Sequence, residues 1–143
     1  MILRKLPNGI SNYEDLVYEN RIYIDKTMYI EKMEDLADKT IMFLRPRKFG
    51  KTLFTSTLAC YYDLKKENEF DKLFANTYIG KKPTSNKNRY HILRFNFSGI
   101  DTTDLNSTLN GFKNSTIESI KLFIEKYQID FFINIGQGAE EIL

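Results

Sequence analysis

Apolar positions recur along the chain with two different periods, which predicts helices and strands in one fold. Ser11 followed by Glu14 three residues later is a capping-box pattern, so a short helix is expected to open at Ser11. Asp25 is expected to cap a second helix. Helical spacing further predicts a helix over residues 51–66, a helical turn over 70–74 and a long amphipathic helix over 104–127.

Three short segments have the pattern of β-strands. Residues 21–24 (Arg-Ile-Tyr-Ile) are predicted to form a short strand, and residues 40–44 form a continuous apolar run before a proline-containing loop, which is typical of a buried strand. Residues 91–97 place Leu93, Phe95 and Phe97 on one face. Together with the helices, these segments predict an α/β fold, a small sheet flanked by helices.

Length and composition favour one packed domain over residues 1–143. The chain is 42% hydrophobic and 14% aromatic, with a net charge of only +2, so a nucleic-acid site would have to be local. With one cysteine, Cys60, and one histidine, His91, an intramolecular disulfide, a cysteine-based zinc site and a multi-histidine metal centre are excluded. No apolar run approaches the ~20 residues of a membrane span, so we expect a soluble, cytoplasmic protein.

The local signal with chemical meaning is the loop at residues 45–52. A phosphate-binding loop needs inward-facing backbone N–H groups, a lysine for the outer phosphates, a hydroxyl for magnesium and a helix N-terminus behind the anion. A predicted strand precedes the loop and a predicted helix follows it. The candidate binding residues are Arg45, Arg47, Lys48, Phe49, Gly50, Lys51 and Thr52.

Two features of this loop leave a simpler interpretation open. The general pattern has a glycine where this chain has Arg45, and Gly-Lys-Thr recurs by chance in many proteins. The cations Arg45, Arg47, Lys48 and Lys51 favour an anionic partner, but a solvated basic loop has the same composition. No nucleophile triad is available, so no catalytic residue is assigned.

Three motifs of the chain resemble the AAA-ATPase-like domain family. They are residues 6–16 (Leu-Pro-Asn-Gly-Ile, then Tyr-Glu-Asp-Leu), residues 23–27 (Tyr-Ile-Asp-Lys-Thr) and residues 45–53 (Arg-Pro-Arg-Lys-Phe-Gly-Lys-Thr-Leu). Residues 70–74 and 91–97 follow in the family's order, and the resemblance covers roughly residues 6–127. The family loop usually reads Arg-Pro-Arg-Arg-Phe-Gly-Lys followed by Ser or Thr. Arg45 therefore follows the family, and Lys48 is a mild departure from it.

The resemblance implies a P-loop NTPase-like domain that binds ATP and Mg²⁺, with Lys51 on the phosphates and Thr52 on the metal. Family members often continue into a domain of the PD-(D/E)XK nuclease superfamily, and carry an acidic Walker B-type motif downstream of the region present here. On this comparison the domain is truncated before that motif. We therefore expect nucleotide binding with weak or absent ATPase activity.

The remaining expectations concern partners. Three strands cannot complete the sheet of such an ATPase, so the chain would pair its strands differently, borrow an edge from a partner or form a homo-oligomer. The apolar residues 131–133 would pack in the core or form an interface. A predicted basic loop contains Lys81, Lys82, Lys87 and Arg89. It could touch nucleic-acid phosphates or simply be solvated. The alternative function is a protein-binding or inhibitory module, such as a phage-borne inhibitor of a nucleoprotein, that reuses the scaffold.

Overall fold

The computed structural model describes residues 5–36, 40–46 and 48–130, and helices hold 52% of them. The chain divides after His91 into two compact units, residues 1–91 and residues 92–143. Its helices are α1 (Tyr13–Tyr18), α2 (Met28–Glu34), α3 (Lys51–Tyr62), a 3₁₀ helix (Leu64–Glu69), α4 (Phe70–Phe74), α5 (Tyr78–Lys81) and α6 (Leu105–Tyr127). None of the helices in these ranges is both long and apolar enough to cross a membrane.

The predicted sheet is wrong. Residues 21–24, 40–44 and 91–97 form no strand, and the described residues contain only two isolated parallel bridges, Lys5 with Arg21 and Asp63 with Tyr90. A strand needs a second backbone to complete its hydrogen bonds, and apolar patterning does not specify that partner. The side chains expected inside the sheet are exposed instead, for example Ile24 (77%), Met42 (79%) and Leu44 (75%).

The core of the first unit is mainly aromatic and joins its five α-helices. Tyr61 of α3 lies at its centre, with ring centroids 5.7 Å from Phe74 and 6.0 Å from Phe70. Tyr13 of α1 packs against Phe74 and donates a hydrogen bond of 2.8 Å to the Leu73 carbonyl. The cluster consists of Tyr13, Ile30, Cys60, Tyr61, Phe70, Leu73, Phe74 and Ile79.

The ends of two helices differ from the sequence pattern for local reasons. The cap of α1 is Asn12 rather than Ser11, because the Asn12 side chain accepts the Glu14 N–H. The helix expected over residues 51–66 ends at Tyr62, because Asp63 adopts an extended conformation and its carboxylate accepts the Lys65 N–H. The next turn is a 3₁₀ helix.

In the described part of the second unit, residues 92–104 form no helix or strand and lead into α6. Asp104 caps α6 by accepting the Ser107 N–H and hydroxyl, and these hydrogen bonds hold the pKa of the Asp104 carboxyl below its usual range. Phe97 stacks on Phe112 with ring centroids 4.8 Å apart. The Tyr127 hydroxyl accepts the Ile92 N–H at 2.8 Å, so residues 92–97 contact α6 at Phe112 and at its last residue.

Candidate phosphate-binding site

Two residues of the loop that leads into α3 have left-handed backbone conformations. Gly50, immediately before α3, has φ 76° and ψ 24°, and Lys48 two residues earlier has φ 67°. Both values are left-handed, a region that glycine enters freely and lysine enters at a cost. Left-handed residues within a turn direct successive backbone N–H groups into one concavity, which favours an anion. The first N–H groups of α3 have no partner within the helix, which also favours an anion at this end of it.

The side chain of Lys51 forms hydrogen bonds with the start of its own loop. Its Nζ donates hydrogen bonds to the Arg45 carbonyl and, at 3.1 Å, to the Pro46 carbonyl. The ammonium therefore lies at the mouth of the turn rather than in solvent away from it. Both carbonyls belong to exposed residues, so an incoming phosphate can replace them as the acceptor for Lys51 without leaving a buried polar group.

Two clefts adjoin the loop. A cleft of about 850 Å³ is lined by parts of all three family-like motifs, including Pro7, Tyr23 and Thr52. A second cleft of about 420 Å³ lies between the loop, α2 and residues 41–43, and Tyr29, Met33 and Phe43 contribute to its largely apolar wall. Lys26, Phe49, Gly50, Lys51 and Phe54 line both clefts. Segments far apart in the sequence therefore meet at the loop.

The structure brings six of the seven predicted binding residues to these clefts. Arg45 lines the smaller cleft, Lys48 and Thr52 line the larger, and Phe49, Gly50 and Lys51 line both. Arg47 lies outside the described residues. Thr52 is exposed in the first turn of α3, so its hydroxyl is accessible to a ligand or a metal ion.

The motif at residues 23–27 is anchored to α5 by side-chain hydrogen bonds. One oxygen of Asp25 accepts the Thr27 N–H and hydroxyl at 2.8 and 2.7 Å, and its other oxygen accepts the Tyr78 N–H at 2.6 Å. The Thr27 hydroxyl in turn accepts the Ile79 N–H at 3.1 Å. Two free N–H groups in the first turn of α5 are thereby satisfied, and the chain on either side of Lys26 is held in place.

Replacing Thr27 with valine is expected to lower the free energy of unfolding by about 1–3 kcal/mol. Valine keeps the shape of the fully buried Thr27 side chain but leaves the N–H of buried Ile79 without its acceptor. Urea denaturation measures the difference. Thr116→Val is the matched control, because the Thr116 hydroxyl bonds only to the Phe112 carbonyl of its own helix, and it should change stability by less than about 0.5 kcal/mol. Equal midpoints for the two variants would contradict the anchoring role of Thr27.

Sequence reasoning missed Lys26. Its Nζ donates a hydrogen bond of 3.3 Å to the Phe49 carbonyl, and it lines both clefts. The available signal was its position between two residues with strong capping preferences, Asp25 and Thr27, in a motif that otherwise looked structural. Nearby, burial raises the pKa of the Tyr23 phenol above its usual range.

The basic segment predicted as a loop begins at the end of α5, which includes Lys81, and is partly engaged within the protein. Lys82 forms a salt bridge of 2.5 Å with Glu31, and the Lys87 ammonium lies 4.2 Å from the centroid of the Phe70 ring. A nucleic acid would have to compete with these contacts. The nucleic-acid interpretation of this loop stays a prediction.

A family model described as "Predicted AAA-ATPase" matches residues 7–141, which is most of the chain. The chain belongs to this AAA-ATPase-like family, so the resemblance drawn from its motifs is confirmed. Membership supports a nucleotide-binding role at the level of the family. No curated protein and no solved structure matches the chain.

Proposed function

We propose that the chain binds ATP with Mg²⁺ through the loop at residues 45–52, and that it hydrolyses the nucleotide slowly or not at all. The observation that carries the proposal is the convergence of the three family motifs on one cleft beside this loop. Their meeting at one cleft is expected if the three motifs contribute to one binding site. The cleft also adjoins the N-terminus of α3, where a phosphate is favoured.

The charge of the clefts supports the same ligand. Among the described residues, the charged side chains lining them are all cationic: Lys26, Lys32, Arg45, Lys48 and Lys51. Such a concentration of positive charge in clefts with apolar walls attracts a polyanion rather than a neutral metabolite. The apolar wall beside it offers a surface for a base or sugar.

The donors at the loop fit a magnesium nucleotide. Lys51 would leave the Arg45 and Pro46 carbonyls for the outer phosphates, and the Thr52 hydroxyl would supply one ligand to Mg²⁺. One protein ligand is sufficient for such a complex, because Mg²⁺ retains several waters and takes its other oxygens from phosphates. When bound, the metal would neutralise charge on the phosphates.

Titration calorimetry with ATP, in the presence and absence of Mg²⁺, tests this proposal. Adenosine is the matched ligand without phosphates. We expect ATP to bind at least tenfold more tightly than adenosine, because each charged hydrogen bond to phosphate contributes about 1.5–3 kcal/mol. A protein that binds no ATP, or that binds adenosine equally well, would contradict use of the loop.

Hydrolysis of ATP is expected to be slower than about 1 s⁻¹, the low end of ordinary enzymes. Phosphoryl transfer needs a positioned metal and an oriented water, and a carboxylate usually assists both. Asp25, the carboxylate next in sequence to the cleft-lining Lys26, has both oxygens engaged with Thr27 and Tyr78. A steady-state phosphate-release assay measures the rate. Turnover above 1 s⁻¹ would mean that another carboxylate completes the site.

A second candidate function, a protein-binding module, is favoured by the exposed apolar segment at residues 40–44, which lies outside any helix or strand. Leu44 and Met42 are among its most exposed side chains, and an unpaired apolar segment can pair with a strand of another chain. We expect light scattering to show a mass that rises with concentration, and Leu44→Lys to restore the monomer. A monomer at every concentration would count against self-association. The apolar residues 131–133, also expected to mediate contacts, lie outside the described residues.

A further inference from the structure

The smaller of the two clefts beside the loop, of about 420 Å³, has the size of a small-molecule site. Three aromatic side chains in its wall are exposed: Tyr29, Phe43 and Phe49. Among the described residues that line the larger cleft, Phe49 is the only exposed aromatic one, and exposed aliphatic side chains such as Ile22 and Ile24 lie beside it. The smaller cleft therefore offers more exposed aromatic surface to a ligand.

Phe43 is the ring in this cleft that is best suited to hold a flat ligand. Phe49 lines both clefts and does not distinguish them. Tyr29 already has a charged partner, because the Lys32 ammonium lies 5.3 Å from the centroid of its ring. Phe43 lines the smaller cleft alone, and its ring packs edge-to-face against Phe54 of α3 with centroids 5.4 Å apart. The Phe43 ring is thus supported by the helix that follows the loop, yet it remains exposed.

The same cleft includes part of the phosphate-binding loop. Arg45, Gly50 and Lys51 belong to its wall together with the aromatic side chains. A nucleotide combines phosphates with a flat aromatic base, and this wall combines cations with aromatic rings. A ligand whose phosphates lie at the loop can therefore place its base against the Phe43 ring.

We propose that the smaller cleft holds the base of the bound nucleotide, and that the base stacks on Phe43. The inference rests on the proposed function, because it concerns the same ligand. Stacking on an aromatic side chain strengthens binding about 5- to 150-fold and tolerates different bases, because every base has a π-face. Among the described residues, the side chains that line this cleft include no carboxylate or carboxamide, two groups that read the edge of a base. The substrate class is then purine nucleoside triphosphates rather than ATP alone.

Calorimetric titration of Phe43→Leu, Phe43→Tyr and Phe95→Leu with ATP and Mg²⁺ tests the role of the ring. Leucine keeps an apolar side chain without the ring, and tyrosine keeps the ring. Phe95→Leu is the matched control, because Phe95 is exposed to a similar extent (45%, against 40% for Phe43) and lines neither cleft. We expect Phe43→Leu to bind ATP about tenfold more weakly than the parent, and both other variants to stay within about threefold.

Inorganic tripolyphosphate probes the loop without a base. Its affinity should be the same for Phe43→Leu and the parent, because it has no ring to stack. Unchanged ATP affinity in Phe43→Leu would overturn the inference. An equal loss of affinity for ATP and tripolyphosphate would also overturn it, because Phe43 would then support the loop and not the base.

Two measurements on the parent protein need no variant. GTP should bind within about threefold of ATP, and a larger difference would overturn recognition by stacking. The fluorescence of 2-aminopurine riboside triphosphate should be quenched on binding, because stacking on a neighbouring ring quenches this base. A bound analogue that stays fully fluorescent would contradict stacking on Phe43.

The larger cleft is the alternative location for the base. Ile24→Ala removes an exposed side chain that lines only that cleft, and it should leave ATP affinity within about threefold of the parent. Weakened binding in Ile24→Ala together with unchanged binding in Phe43→Leu would overturn the inference and leave the proposed function intact. A parent that binds neither ATP nor tripolyphosphate overturns the proposed function, and the inference with it.

Discussion

Replacing Gly80 with alanine is expected to destabilise the first unit by about 3 kcal/mol, the upper end of the usual cost of overpacking. A Cβ on Gly80 would lie 1.9 Å from the Phe74 carbonyl oxygen and 2.7 Å from its carbon. The clash is with backbone that is held in place, because the same oxygen accepts the Thr77 N–H and hydroxyl. Phe74 itself is fully buried against Tyr13, Phe70 and Tyr61.

The clash can be relieved only by moving α5, and the movement has consequences at the site. The first turn of α5 supplies the N–H groups of Tyr78 and Ile79 that bind Asp25 and Thr27. Displacing that turn would loosen the motif at residues 23–27 and, through Lys26, the phosphate-binding loop. We therefore expect Gly80→Ala to weaken ATP binding as well as folding, although Gly80 lines neither cleft.

Gly111→Ala in α6 is the matched control for Gly80→Ala. Its Cβ would lie 2.7 Å from Cγ2 of Ile100, which is a partly exposed side chain rather than backbone. The strain is offset by the helix propensity of alanine, which exceeds that of glycine by about 1 kcal/mol. Urea denaturation of both variants measures the difference between their free energies of unfolding. A Gly80→Ala midpoint equal to that of the parent would show that α5 does not pack on Phe74 as described.

The helices could be predicted from the sequence because their determinants are local. The apolar stripe of α6 and its cap at Asp104 lie within one segment, so the predicted range of 104–127 and the observed Leu105–Tyr127 agree closely. The end of α3 was missed by a few residues, because buried Asp63 leaves the helical conformation while the apolar spacing continues to Leu64. Side-chain competition for backbone N–H groups is not visible in hydrophobic periodicity.

The prediction of a sheet failed because strand pairing is not a local property. Residues 91–97 alternate like a strand, yet Phe97 stacks on Phe112 of α6 instead of joining a sheet face. An alternating pattern shows only that one side of an extended segment is apolar. A helix can cover that side as well as a neighbouring strand can.

Only the contiguous part of the candidate site could be predicted, because contacts between distant segments are not visible in a local pattern. Residues 45–52 are contiguous, so their glycine, lysine and hydroxyl could be identified together. Asp25 and Thr27, the neighbours of Lys26, are anchored by α5, which begins 52 residues after Lys26 in a segment to which the sequence pattern assigns no element. Contacts over such distances in the sequence follow from the fold.

Replacing Lys51 with methionine is expected to weaken ATP binding by about 1.5–3 kcal/mol, which is roughly 10- to 150-fold. The ammonium is the only group on the Lys51 side chain that can form a charge-assisted hydrogen bond to phosphate. Removing it should leave stability nearly unchanged, since its present acceptors, the Arg45 and Pro46 carbonyls, belong to exposed residues and can bind water.

Lys65→Met is the matched control for this variant. It removes the same charge and donors from the same kind of side chain, but Lys65 lies on the 3₁₀ helix and lines neither cleft. Its ATP affinity should stay within about threefold of the parent, so any larger loss in Lys51→Met cannot come from net charge alone.

Calorimetric titration of the parent, Lys51→Met and Lys65→Met with ATP and Mg²⁺ is the most direct test of whether this loop binds nucleotide. We predict saturable binding by the parent and by Lys65→Met, and binding at least tenfold weaker by Lys51→Met. Equal affinities for all three proteins, or no binding by the parent, would contradict the assignment of residues 45–52 as the phosphate-binding site.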